Sequence, residues 1–165
     1  MTNVGIIGTG MLGEAVGLHL LNSNHTVAVF NRTKDKTEKL VDAGATLAES
    51  PKEVAENSDL VITVVRDADA VSEVAFGENG IISGKHDGMC IADMSTVNPN
   101  STKEISRKVT ANGIDFLEIP VMGGINVASD GKLVMMVSGK KEIFERFKKV
   151  FDTIAEQTFY LGDTG

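Results

Sequence analysis

Short apolar runs alternate along this chain with longer stretches in which apolar residues recur at helical spacing. Asn3–Ile7 and Thr26–Phe30 are short runs, and the stretch Met11–Asn22 between them has the helical spacing. Leu60–Val65 is almost wholly apolar, which is typical of a strand that a parallel sheet buries on both faces. Strand, helix and strand in this order predict a right-handed βαβ unit.

The rest of the chain continues the alternation. Further helices are predicted at Lys34–Ala43, from Pro51 to about Asn57, at Ala68–Ala75, at Pro99–Asn112 and at Lys141–Ala155. Further strands are predicted at Met89–Asp93, Phe116–Ile119, Leu133–Val137 and Thr158–Leu161. The pattern predicts an α/β fold, in which one doubly wound, mostly parallel sheet carries helices on both faces.

A glycine-rich loop joins the first predicted strand to the first predicted helix. Its sequence, Gly-Thr-Gly-Met-Leu-Gly, has the G-x-G-x-x-G spacing of a Rossmann dinucleotide site in the strand–turn–helix context that this motif requires. The first glycine permits the tight turn, the second lets the backbone approach a pyrophosphate, and the third allows close helix–strand packing. The cofactor-binding residues predicted here are Gly8, Gly10, Met11, Leu12 and Gly13. A glycine turn without a ligand is the alternative.

The end of the second strand indicates which dinucleotide is bound. A site that prefers NAD has Asp or Glu there to accept hydrogen bonds from the ribose 2′-hydroxyl, whereas this chain has Asn31, Arg32 and Thr33. No carboxylate repels a 2′-phosphate, and the Arg32 guanidinium can bind one through two parallel hydrogen bonds. We therefore expect NADP to be the preferred cofactor, with NAD as the alternative. The alternative for these residues is purely structural: Arg32 would be a solvated surface side chain, and Thr33 would cap the next helix.

Composition narrows the classes of partner and compartment. The chain has 165 residues, a formal net charge of −7 and a sequence pI of about 4.9. A uniformly acidic protein is a poor partner for nucleic acid or an anionic membrane surface. We see neither a signal peptide nor an apolar run long enough to span a membrane, and the single cysteine, Cys90, cannot form an internal disulfide. A cytoplasmic protein is expected.

Four motifs in order resemble one enzyme family. They are Gly8–Gly13, Asn31–Thr33, Asp93–Thr96 and Pro120–Gly124. Together they resemble the N-terminal domain of the β-hydroxyacid dehydrogenases, which include 3-hydroxyisobutyrate dehydrogenases and glyoxylate/succinic semialdehyde reductases and are related to 6-phosphogluconate dehydrogenase. The resemblance covers essentially the whole chain. It implies one dinucleotide-binding domain over residues 1–165, belonging to an oxidoreductase that transfers hydride between a nicotinamide cofactor and a small β-hydroxyacid or semialdehyde.

The resemblance also implies roles for residues beyond the glycine loop. Val65 and Arg66 would border the riboses of the cofactor, although the family often has Leu-Pro at these positions. Thr96 would contact the nicotinamide end. The structural interpretation of Asp93–Thr96 is a capped turn that leads into the next helix.

Four residues would bind the substrate by the same resemblance. They are Ser95, Met122, Gly123 and Gly124. The two glycines would offer backbone N–H groups to a substrate carboxylate. Met122 stands where the family frequently has a serine that binds the substrate acid, so the resemblance leaves the substrate open. A turn without a binding role is the alternative for Pro120–Gly124.

In this family a lysine acts as the general acid, and the resemblance places it beyond Gly165. An all-α second domain, expected after the same point, would close the cleft around a small carboxylate substrate and commonly makes a homo-oligomer. We therefore expect no catalytic residue and no metal site in this chain, and little activity from it alone. Two alternatives stay open, a non-catalytic dinucleotide-binding module and the cofactor domain of an imine reductase.

Overall fold

A computed structural model describes residues 2–164 and shows one twisted sheet covered by helices on both faces. The strands are β1 Asn3–Ile7, β2 Thr26–Phe30, β3 Thr46–Leu47, β4 Leu60–Thr63, β5 Cys90–Asp93, β6 Asp115–Glu118, β7 Val121–Met122, β8 Leu133–Gly139 and β9 Ala155–Gly162. The α-helices are α1 Met11–Asn22, α2 Glu38–Asp42, α3 Pro51–Glu56, α4 Ala68–Phe76, α5 Pro99–Ala111, α6 Ile125–Ser129 and α7 Lys141–Ile154.

The strand order gives the sheet its functional edge. It runs β3-β2-β1-β4-β5-β6-β8, with parallel pairing from β3 to β6. Between β2 and β4 the order reverses about β1. Open α/β sheets bind ligands outside the carboxyl ends of their strands at such a reversal. The predicted fold class is therefore confirmed, and it directs attention to the loops that follow β1, β2 and β4.

The far side of the sheet departs from parallel pairing. β8 runs antiparallel to both β6 and β7, and it pairs in parallel with β9. β6 pairs with residues 138–139 of β8 and β7 with residues 134–135, so β6 and β7 lie along the same edge of β8. The prediction of a mostly parallel sheet holds, and the antiparallel pairing of β8 is an addition to it.

Alternate side chains along the central strands belong to two separate cores. Val4, Ile6 and Ile62 pack with the apolar face of α7, where Phe147 and Phe151 are buried. Their sequence neighbours, such as Ile7 and Val61, pack on the opposite face with Ile105 and Val109 of α5. Burial on both faces is what the almost unbroken apolar run of β4 predicts for a parallel sheet.

The helix predicted over Lys34–Ala43 is not one continuous α-helix. The stretch Lys34–Ala43 is a 3-10 turn over Lys34–Thr37 followed by the short helix α2. The Thr37 hydroxyl donates to the backbone carbonyl of Lys34 at 2.6 Å, a local side-chain bond of the kind that competes with regular helix formation.

The strand predicted over Leu60–Val65 ends early. β4 stops at Thr63. The backbone N–H of Val65 donates at 3.0 Å to the Ser95 hydroxyl, which takes the place of a strand partner. The apolar pattern therefore continues beyond the regular backbone pairing.

Three short elements were not predicted. They are β3, β7 and α6, which have two, two and five residues. Elements of this length do not contain enough residues to show a period, so the hydrophobic pattern could not indicate them. The other predicted helices and strands are confirmed, with ends that shift by a few residues.

Candidate functional site

A groove of about 900 Å³ lies at the carboxyl ends of β1, β2 and β4. This volume is at the upper end of the usual range for small-molecule sites. Seven residues that were predicted to bind the cofactor line it, namely Gly8, Gly10, Asn31, Arg32, Thr33, Val65 and Arg66. The groove thus brings together residues from three loops that are far apart in the sequence.

The three glycines of the loop have different surroundings. Gly8 has a φ of +97°, the left-handed region that favours glycine, and a Cβ there would collide with the Val64 carbonyl. A Cβ on Gly13 would collide with the Gly8 carbonyl, so this glycine lets α1 approach the loop closely. A Cβ on Gly10 would meet no atom within 4 Å. The backbone at Gly10 therefore faces open space.

The start of α1 is suited to an anion. Gly10 is the N-cap residue and has no side chain to cap the helix. The first N–H groups of a helix lack partners within it, and the helix dipole places positive charge at the same end. Met11 is 73% exposed, and neither its side chain nor that of Leu12 lines the groove. The contact of Met11 and Leu12 with a cofactor stays a prediction.

Asn31 joins the glycine loop to the loop after β2. Its Oδ1 accepts from the Thr9 backbone N–H at 3.0 Å, and its Nδ2 donates to the Thr33 carbonyl at 2.9 Å. Both ends of the amide are thus bonded within the protein. The structure gives Asn31 a positioning role that the sequence did not indicate, and direct contact with a cofactor stays a prediction.

Two cations line the groove where β2 ends. Arg32 was predicted there, and Lys36 from the following 3-10 turn joins it. Within residues 2–164 neither forms an ion pair, whereas the neighbouring Lys34 pairs with Glu49 at 2.9 Å. Lys36 was missed because its position on the groove depends on the 3-10 turn, which the sequence pattern did not reveal. The available signal was a second basic residue shortly after Arg32 in the sequence.

Arg66 makes a local ion pair at the start of α4. Its Nε lies 2.6 Å from Asp67 Oδ2, and Asp67 Oδ1 accepts from the Ala70 N–H at 2.9 Å as the N-cap bond of the helix. The Ala70 N–H and the Arg66 guanidinium lower the pKa of Asp67. Arg66 therefore borders the groove as a side chain already paired with a carboxylate.

A buried carboxyl links the ends of β4 and β5. Asp93 is 2% exposed, and its Oδ1 accepts from the Thr63 hydroxyl at 2.8 Å and from the Ser95 N–H at 3.1 Å. Burial raises the pKa of Asp93 above its ordinary value, and the Glu118 carboxylate opposite it on β6 raises it further. Ser95 is itself buried, and its hydroxyl bonds Val65 and Thr63. The role of Ser95 in substrate binding stays a prediction.

The remaining candidates lie outside the groove. Thr96 is exposed shortly after β5. Met122 is the last residue of β7, and Gly123 and Gly124 lie between β7 and α6. α6 packs against α1, and the ring of His19 on α1 bonds the Ser129 carbonyl at 2.9 Å. The segment with the predicted substrate residues is thus held beside the helix that begins at the glycine loop. The structure does not test these substrate roles.

Residues 2–164 offer little for a metal site, a membrane span or a cysteine nucleophile. Residues 2–164 contain no group of three or more His, Cys, Asp or Glu side chains placed to hold a metal ion. No helix in the same range is long and apolar enough to span a bilayer. Cys90 is fully buried, and burial raises the pKa of its thiol far above the ordinary value, which makes it a poor nucleophile.

Comparison with known sequences identifies relatives along nearly the whole chain. Residues 3–162 match the family described as the NAD binding domain of 6-phosphogluconate dehydrogenase. The chain is 36% identical over 162 residues to the uncharacterized oxidoreductase YkwC of Bacillus subtilis and to glyoxylate/succinic semialdehyde reductase 1 of Arabidopsis thaliana, covering 98% of this chain and 56% of each relative. It is 33% identical to the human cytokine-like nuclear factor N-PAC, of which it covers 29%.

Solved structures share the fold. A putative oxidoreductase from Mycobacterium avium superposes with a TM-score of 0.92 at 30% identity, over 99% of this chain and 58% of that one. Psf3 in complex with NADP+ and 2-OPP gives a TM-score of 0.93 at 26% identity, over 98% and 57%. The chain thus spans a little over half the length of these proteins.

Proposed function

The chain belongs to the family of NAD-binding domains found in 6-phosphogluconate dehydrogenase, and we propose that it binds NADP(H) in preference to NAD(H) as the cofactor-binding part of a dehydrogenase or reductase. The observation that carries the preference is the pair of cations at the end of β2. Arg32 and Lys36 line the groove without carboxylate partners among the described residues, at the place where an NAD site has an acid.

The glycine loop fits the pyrophosphate of a dinucleotide. The open space at Gly10 admits the phosphates, and the free N–H groups at the start of α1 can donate to them. Arg32, Lys36 and the Thr33 hydroxyl would then hold the 2′-phosphate of the adenosine ribose. Asn31 positions both parts of this site because it bonds Thr9 in one loop and Thr33 in the other.

The nicotinamide end would extend from the glycine loop toward the end of β5. When bound, its ring would donate or accept the hydride. In this proposal Thr96 orients that ring, and the backbone N–H groups of Gly123 and Gly124 hold the carboxylate of a small hydroxyacid or semialdehyde. Ser95 and Met122 border the same substrate. Ser95 would act mainly by fixing the loop through its bonds to Val65 and Thr63.

The proposal takes the catalytic acid and the second domain from the longer proteins that this chain resembles. A lysine beyond Gly165 would supply the general acid, which is typically worth roughly 10²–10⁴-fold in rate. A helical second domain, homo-oligomeric assembly and a cytoplasmic location complete the proposal. An open reading frame that continues past Gly165 with a lysine within a short distance would support it.

Titration of the purified chain with NADPH and NADH tests the cofactor preference. A charged hydrogen bond contributes about 1.5–3 kcal/mol, so Arg32→Ala and Lys36→Ala should each weaken NADPH binding by roughly ten- to a hundredfold and change NADH binding little. Lys34→Ala is the matched control, because Lys34 pairs with Glu49 outside the groove. Equal affinities for NADPH and NADH, unchanged in Arg32→Ala, would overturn the preference.

Two of the similar proteins favour alternative functions for this chain. N-PAC is named a nuclear factor and not an oxidoreductase, which leaves room for a non-catalytic dinucleotide-binding module as one candidate. An imine reductase from Streptomyces aurantiacus shares the fold with a TM-score of 0.90 at 25% identity and favours the other. Steady-state assays of the full-length protein with NADPH and semialdehydes or cyclic imines separate the three. Turnover of a semialdehyde supports the reductase, turnover of an imine supports the imine reductase, and binding without turnover supports the module.

A further inference from the structure

The two walls of the groove differ in chemistry. Asp69, Ala70, Glu73 and Val74 line it from α4, and their spacing places them on one face of that helix. Ala70 and Val74 are half-buried, whereas Asp69 and Glu73 are exposed. α4 therefore presents an apolar strip that is bordered by carboxylates.

The opposite wall carries positive charge. Arg32 and Lys36 lie at the end of β2, and the two walls face the same space. A dinucleotide whose pyrophosphate lies at Gly10 and whose 2′-phosphate lies at Arg32 would place its base in the outer part of the groove, where the lining continues along α4 and into the loop after it as far as Gly80. A flat purine there can pack against Ala70 and Val74.

Asp69, Glu73 and Glu78 line the groove beside the proposed phosphate site, where like charges weaken the binding of an anion unless another contact offsets them. We propose that Glu73 accepts a hydrogen bond from the 6-amino group of adenine and thereby selects adenine nucleotides, an inference that rests on the proposed NADP(H) site. A carboxylate is an acceptor only, so it can bind the 6-amino group of adenine and makes no such bond to a purine that carries hydrogen at that position. Glu73 is preferred over Asp69 because it lies one turn farther from the glycine loop and has the longer side chain.

Titration of the purified chain with NADPH and with the analogue that has unsubstituted purine in place of adenine tests the inference. The wild-type chain should bind NADPH at least about tenfold more tightly, because the analogue lacks the amino group that makes a charged hydrogen bond. Glu73→Gln should bind the two dinucleotides with affinities within about threefold, since a neutral amide oxygen accepts a weaker bond from the amino group. Glu145→Gln, the same change on an exposed face of α7, should keep the wild-type discrimination.

The outcomes separate this inference from the proposed function. Equal wild-type affinities, or discrimination that survives Glu73→Gln, would overturn the role of Glu73 alone. Tighter binding of both dinucleotides by the same factor in Glu73→Gln would show that the carboxylate acts only by repulsion and would also overturn it. Failure of NADPH itself to bind would overturn the proposed function together with this inference.

Discussion

Single residues at the carboxyl ends of β1 and β5 have different structural roles, and the sequence motifs alone do not show which role belongs to which residue. Gly8 and Gly13 are needed for the backbone path, because a Cβ at either would collide with a carbonyl oxygen. Gly10 faces open space, so the fold itself does not require a glycine there, and in the proposed site the missing side chain leaves room for the pyrophosphate. Asp93 has a third kind of task, since it bonds the loop after β5 from a buried position.

Substitution of two glycines separates the ligand from the fold. Gly10→Val should leave the circular dichroism spectrum and the melting temperature close to wild type but abolish NADPH binding, because the side chain would occupy the space of the pyrophosphate. Gly13→Val should lower the melting temperature sharply, since its side chain would collide with the Gly8 carbonyl. A Gly10→Val variant that binds NADPH normally would contradict the assignment of this space.

The buried carboxyl of Asp93 predicts a pH-dependent stability. Because burial raises its pKa, the folded chain keeps this proton above the pH at which the unfolded chain releases it, so the contribution of Asp93 to stability is complete at low pH and falls as pH rises above its ordinary value of 3.8. Asp93→Asn keeps an Oδ1 acceptor for Thr63 and Ser95 and cannot ionise. The free energy of unfolding of Asp93→Asn should therefore rise relative to that of the wild type as the pH increases above about 4.

Urea denaturation of the wild type and Asp93→Asn at a series of pH values measures this difference. A difference that is constant with pH would show that the carboxyl titrates alike in the two states. A difference that favours the wild type increasingly as pH rises would reverse the sign of the argument.

Secondary-structure elements could be predicted from the sequence where they are long enough to show a period. β1, α1 and β2 have the predicted bounds, and α3 begins after its predicted Ser50 cap. The boundaries at Thr37 and Val65 could not be predicted, because side-chain hydroxyls take the backbone bonds there. Lys36 and Glu73 likewise reach the groove only through the placement of a 3-10 turn and of α4.

The start of α3 offers a test at this scale. The Ser50 hydroxyl accepts from the Glu53 N–H at 3.2 Å, and the Glu53 carboxylate in turn accepts from the Glu49 N–H at 2.8 Å. Ser50→Ala should lower the free energy of unfolding by about 1 kcal/mol, while Ser50→Asn, another good N-cap, should retain most of it. Equal stability of Ser50→Ala and wild type in chemical denaturation would show that the cap contributes nothing.

The molecule as a whole combines an acidic surface with a locally basic groove wall. The net charge of −7 disfavours anions in general, and the groove counters this with Arg32, Lys36 and the start of α1 in one place. The alternation of strands and helices was enough to predict the sheet and the edge at which we propose that the cofactor binds. The distribution of charge around the groove required the folded arrangement, since its residues come from loops after three different strands.

The most direct test of the account is an NMR titration of the nitrogen-15-labelled chain with NADPH, followed through its backbone amide signals. The signals of Gly8–Gly13, of residues 31–36 and of the groove face of α4 should shift, while those of β9 at the far edge of the sheet should not. A smaller set of shifts around residues 31–36 is expected with NADH, which lacks the 2′-phosphate. Shifts confined to other regions, or none at all, would contradict the proposal that this groove is a site for NADP(H).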